Sequence, residues 1–114
     1  MLTEKDYCDY ETCVALSELG LSCDDVALHY EAHPLACRYE DIPKPLLYEA
    51  QKWLREEKKI EVNATYDNVV ELHWHWFMKS LTNCNQSISI INHDSYEQAL
   101  LAGIKEAIKI LKEK

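Results

Sequence analysis

The segment 70–79 constrains the fold more than any other part of the chain. Val70, Leu72, Trp74, Trp76 and Met78 alternate with Glu71, His73, His75, Phe77 and Lys79. A period of two puts the first set on one face of a strand and the second on the other. The apolar face needs a cover, so the chain must also supply helices or a second sheet. Two neighbours share the pattern. Ile60, Val62 and Ala64 alternate with Glu61 and Asn63, and Tyr66-Asp67-Asn68 supplies a turn. Thr82-Asn83-Cys84-Asn85 supplies another turn before a strand over 87–91. An antiparallel three-stranded meander is predicted.

Two amphipathic helices are available to cover it. Pro45 fits a first helical turn, where its missing N–H costs nothing, and Leu46, Leu47, Ala50, Trp53 and Leu54 then recur at helical spacing. The other helix starts at Asp94-Ser95, with Ser95 and Gln98, or Asp94 and Glu97, at capping-box spacing. Its apolar stripe is Tyr96, Leu100, Gly103, Ile104, Ala107, Ile108 and Leu111. Gly103 inside that stripe predicts close approach to a neighbouring element.

The first 41 residues read less clearly. Asp9 as N-cap and Gly20 as the residue after the C-cap bound a short helix, with Tyr10, Cys13, Val14 and Ser17 on one face and Leu16 and Leu19 beside it. Beyond it, Ser22 could cap a helix over Val26–Ala32, while Val26, Leu28 and Tyr30 alternate as in a strand. The alternation favours two short strands, the second near Ala36–Tyr39. The fold class is therefore α+β: a three-stranded antiparallel meander packed against two main helices, with a short N-terminal helix.

At 114 residues, 47% of them hydrophobic, the chain can bury one core without staples and reads as a single domain over 1–114. No apolar run approaches the roughly 20 residues of a membrane helix, and the opening residues lack a basic segment followed by an apolar one. Five cysteines, an odd number, read as reduced thiols. A cytoplasmic protein with no membrane association is expected.

The formal net charge of −8 is unevenly placed. Residues 1–42 carry ten acids and two bases, giving −8, and residues 43–114 carry ten of each. Phosphates would be repelled by the first segment, so no direct nucleic-acid binding is expected there. A basic protein surface would be attracted. The candidate binding residues are Asp6, Asp9, Glu11, Glu18, Asp24, Asp25 and Glu31.

The metal candidate is His73-x-His75, since side chains two apart on a strand point the same way. Further ligands could come from His29, His33 or Cys37. A polar, water-facing strand face explains the same two residues without a metal. Cys8 and Cys13 lack Cys-x-x-Cys spacing, and both glycines have structural explanations, which leaves no phosphate loop. No catalytic residue and no cofactor are expected.

The block Ile42-Pro43-x-Pro45-x-Leu47-x-x-Ala50-x-Lys52-Trp53-Leu54-Arg55-Glu56, then Ile60-x-Val62, resembles small uncharacterised proteins carried by phages and prophages of gut Bacteroides. Ser95-Tyr96-Glu97-Gln98-Ala99 is similar to their C-terminal block, and Asp6-Tyr7, Tyr10-Glu11 and Leu19-Gly20 suit their N-terminal helix. The resemblance covers about half the chain and implies an accessory gene of a mobile element, with no activity to carry over. The expected function is a non-enzymatic protein-interaction module, with self-association as a homodimer through an exposed sheet edge as one route. The alternatives are an acidic decoy that occupies a host nucleic-acid-binding protein, and a metal-dependent enzyme using His73 and His75.

Overall fold

The computed structural model describes residues 4–30, 42–67, 73–82, 86–88 and 93–113. They form three α-helices and short antiparallel sheets, an α+β mix. The chain gathers into two compact units, Met1–Ala50 and Gln51–Lys114, where the sequence alone reads as one domain.

The N-terminal unit is built from caps and turns. Helix α1 (Tyr10–Glu18) starts at Asp9, whose carboxylate accepts from the Thr12 backbone N–H at 2.9 Å and from the Thr12 hydroxyl. It ends in a Schellman turn: Leu21 N–H donates to Leu16 O at 3.0 Å and Gly20 N–H to Ser17 O at 3.1 Å. Gly20 supplies the required positive φ of 116°. Leu16 and Leu21, which the motif brings together, are both buried. The inward face of α1 is Thr12, Cys13 and Leu16, and Tyr10 is exposed, a correction to the stripe read from sequence.

Ser22 does form a capping box, with Asp25, but it closes only a single 3₁₀ turn over Cys23–Asp25. Strand β1 (His29–Tyr30) follows and pairs antiparallel with β2 (Ile42–Pro43), Tyr30 opposite Ile42. The helix over Val26–Ala32 therefore does not form at 26–30; the strand expected near Ala36–Tyr39 lies outside the described residues. On the other side of the 42–46 segment, Cys8 N–H donates to Pro45 O at 3.0 Å and Tyr7 bridges Leu46. Segments 7–8 and 28–30 thus flank 42–46, with Pro43 and Pro45 buried at the centre.

Helix α2 (Leu47–Glu57) begins two residues after Pro45, which precedes the helix and does not sit in its first turn. Leu46 is the residue before it, and Glu49 reaches back to the Leu46 N–H at 2.8 Å. That is the acidic half of a capping box; Leu46 has no side-chain oxygen to make the other half. The boundary between the two units falls within α2.

The C-terminal unit carries the longer strands. β3 (Ile60–Asp67) and β4 (His73–Ser80) pair antiparallel with Val62 opposite Met78, Ala64 opposite Trp76 and Tyr66 opposite Trp74. Lys59, at φ 58°, makes the reversal from α2 into β3. β5 (Gln86–Ile88) lies antiparallel to β4, Phe77 opposite Ile88. The connections 68–72 and 83–85 lie outside the described residues, as do Val70 and Leu72.

Helix α3 (Tyr96–Lys112) covers the face of β3 and β4 that carries Val62 and Trp76. Ser95 caps it, accepting from Gln98 N–H at 3.2 Å, while the Gln98 side chain accepts from Asp94 N–H. Of the two pairs considered from sequence, Ser95 with Gln98 is the one that caps the helix, with Gln98 reaching to the Asp94 N–H instead of the Ser95 N–H. A Cβ on Gly103 would lie 2.7 Å from Val62 Cγ1 and 2.9 Å from Trp76 Cβ, so the expected close approach is real. Ala99, Leu100, Ile104, Ala107 and Ile108 complete the buried stripe beside Leu54, Ile60, Val62 and Met78. Along β3, Gln51 Nε2 donates to Val62 O at 2.7 Å and to Asn63 Oδ1 at 2.8 Å. A side chain of α2 therefore occupies a carbonyl that an edge strand would otherwise offer to another chain.

Candidate functional site

The acids singled out in the sequence fall on the N-terminal unit, where they do different work. Asp9 is spent on capping α1 and Asp25 on the Ser22 capping box, its Oδ2 accepting from Ser22 N–H at 2.8 Å. Glu11, in the first turn of α1, and Asp24, in the 3₁₀ turn, are exposed. Glu18 is exposed at the far end of α1, and Asp6 is half-buried. Glu31 lies outside the described residues. The helix ends thus use two of the carboxylates that a nucleic-acid decoy would have to present.

Glu49 was not singled out by sequence, yet it ties the unit together. Besides Leu46, it accepts from Ala27 N–H through its second oxygen at 3.3 Å. Large side chains left in water surround the same framework: Tyr48 is 62% exposed, Tyr10 54% and Leu28 46%. They sit on, or next to, the three segments that backbone bonds hold side by side. Lys44 is half-buried, with its ammonium 4.9 Å from the centre of the Tyr7 ring. Tyr48 could have been found from sequence, because it lies off the apolar stripe of α2 among Glu49 and Lys52. The exposure of Leu28 had no such signal, because its alternation with Val26 and Tyr30 reads as a buried strand face.

Cys8, Cys13 and Cys23 are thiols. Cys13 Sγ donates to Cys8 O at 3.5 Å inside the unit. Burial pushes the Cys13 thiol from 9.0 up to about 11, with the Asp9 carboxylate adding to the rise and Lys44 opposing it. A thiol so raised is a poor nucleophile at neutral pH. Its place is in packing.

On the C-terminal unit, His73 and His75 lie on β4 at register positions opposite Asp67 and Thr65. His75 is half-buried and its Nδ1 is shielded from solvent. Among the described residues, no group of three or more His, Cys, Asp or Glu side chains could hold a metal ion. His29 is exposed on β1; His33 and Cys37 lie outside the described residues.

Trp74 and Trp76, expected in the core, are only half-buried. Trp74 meets Tyr66 across the strands with ring centres 5.1 Å apart and planes at 56°. It also meets Tyr96, the first residue of α3, at 5.5 Å and 81°. Gly103 lies against Trp76, and Trp74 meets α3 at its first residue, Tyr96.

No helix among the described residues is long and apolar enough to cross a membrane. No protein-family model, curated protein or solved structure matches the chain.

Proposed function

We propose that this chain is a cytoplasmic accessory protein of a phage or mobile element that acts without catalysis, by binding a basic protein surface through its N-terminal unit. The observation that carries this reading is the pairing of charge with exposed apolar bulk. Residues 1–42 hold the whole net charge of −8, and Tyr10, Leu28 and Tyr48 stand in solvent on the same unit. Exposed aromatics amid carboxylates suit a partner that offers both cationic and apolar groups. The decoy reading draws on the same carboxylates and needs them, in addition, to line one surface at phosphate-like spacing. The resemblance of the 42–62 and 95–99 blocks supports the origin. In this reading the C-terminal unit is a three-stranded meander under α3, supported by the pairing of Gln86–Ile88 with Phe77–Lys79. Self-association through the β3 edge is disfavoured by the bond from Gln51 to Val62 O.

The test is capture from the native host with the wild-type chain and with a Glu11→Gln/Asp24→Asn/Tyr48→Ser variant. All three positions are exposed and outside the caps, so folding should be retained. A basic partner held by the wild type, released at high salt and lost from the variant, is the expected result. Equal capture by both chains would defeat the proposal.

A further inference from the structure

β4 pairs with one side of β3, and among the described residues no strand pairs with the other. Which backbone groups face that open side follows from the ladder. Lys59 O accepts from Leu81 N–H at 2.7 Å, continuing the register that sets Ile60 opposite Ser80. Odd-numbered residues of β3 therefore bond to β4, and even-numbered ones turn their N–H and C=O outward. Two further bonds agree. Val62 O is reached from outside by Gln51, and Trp74, opposite Tyr66, gives its N–H and C=O to His93, away from β3.

Gln51 closes this edge only at Val62. Beyond it, the N–H and C=O of Ala64 and Tyr66 point outward, and no hydrogen bond from the described residues reaches them. Thr65 and Tyr66 are exposed and Ala64 is half-buried, so the stretch meets solvent. A row of unpaired backbone groups is the template on which an extended chain adds as a strand. Charge and alternation decide what kind of chain fits. β3 carries Glu61 and Asp67 and no base, so a second copy would add acids to acids. Ala64 and Tyr66 share the face of Val62, toward α3, while Glu61 and Thr65 share the other. A neighbouring strand would set apolar residues beside the first pair and cationic residues on the face of the second.

We infer that the Ala64–Tyr66 edge of β3 accepts an extended basic polypeptide segment, alternating apolar and cationic residues, as an added strand. Ala64 and Tyr66 supply the main-chain bonds, and the acids of β3 select a cationic occupant. The bond from Gln51 to Val62 O sets one end of the paired stretch. This surface belongs to the C-terminal unit and is independent of the one proposed above.

The experiment follows amide exchange of the full chain by NMR during titration with a blocked Lys-Val-Lys-Val-Lys-Val-Lys peptide at constant ionic strength. Two controls accompany it. One carries an N-methyl group on every valine, which keeps the charge but removes the donors that would face β3. The other replaces each lysine by glutamate. At saturation the Ala64 and Tyr66 amides should exchange at least about tenfold more slowly. The Asn63 and Thr65 amides, already bonded to β4, should change little. The N-methylated peptide should bind at least about fivefold more weakly, the scale of one backbone hydrogen bond, and the glutamate peptide weaker still. Equal binding of the parent and either control overturns the proposal, as does the absence of saturable protection at Ala64 and Tyr66. Protection that rises with chain concentration alone also overturns it, and assigns the edge to a second copy. Because the readout lies on β3, neither result bears on capture through the N-terminal unit.

Discussion

The two units reach order by different routes. In the C-terminal unit, long elements match long sequence patterns: β3 and β4 pair over eight residues each, and α3 lays a seventeen-residue amphipathic face on them. In the N-terminal unit, the strands span two residues each among the described residues, and side chains that satisfy backbone ends supply much of the order. Asp9, Ser22, Asp25 and Glu49 all serve this way. Acidic residues are therefore structural in one unit and scattered in the other, where charge is balanced. Both units leave large side chains in water, Tyr10, Leu28 and Tyr48 in one and Tyr66, Leu81 and Tyr96 in the other, but only the first sets them among an excess of carboxylates.

If this contrast is correct, truncating the C-terminal core should have the largest effect. Leu100, 1% exposed, is predicted to cost about 3 kcal/mol on Leu100→Ala, read by urea unfolding. A loss below about 1 kcal/mol would mean that α3 is not the main cover. Gly103→Ala sharpens the same point. Alanine normally gains helix stability, but here its Cβ meets Val62 and the backbone-proximal Cβ of Trp76, so a net loss of about 1–3 kcal/mol is expected. A more stable variant would show that the helix can lift without cost.

The N-terminal unit should respond instead to pH and to caps. The Cys13 thiol is raised from 9.0 to about 11, so the folded state holds its proton more tightly than the unfolded chain. Its contribution is intact below pH 9 and lost as pH rises toward 11, on the order of 2 kcal/mol. Unfolding curves across that range should show the loss in the wild type and a smaller one in Cys13→Ala. Asp9→Ala comes next, at about 1 kcal/mol, because it frees the Thr12 N–H and hydroxyl together. Glu11→Gln, exposed and outside the cap, should change stability by less than about 0.5 kcal/mol.

Periodicity made the C-terminal unit legible. The faces of β3 and β4, the stripe of α3 and the close approach at Gly103 all follow from spacing. What spacing omits is extent of cover. A period of two says that Trp74 and Trp76 share a face, but not that both stay half-buried there. In the N-terminal unit, Asp9 and Gly20 were readable because caps have residue signatures. The pairing of His29–Tyr30 with Ile42–Pro43 was not, since it joins segments whose separation in sequence carries no pattern. Glu49 carries no signature in the sequence because both its bonds depend on where residues 27 and 46 come to lie.

The central claim, that the N-terminal unit is the binding face, is tested most directly by hydrogen exchange of the chain with and without its captured partner. The account predicts added protection within 4–30 and 42–49, strongest around Tyr10 and Tyr48, with 60–113 unchanged. Protection confined to 60–113 would contradict it.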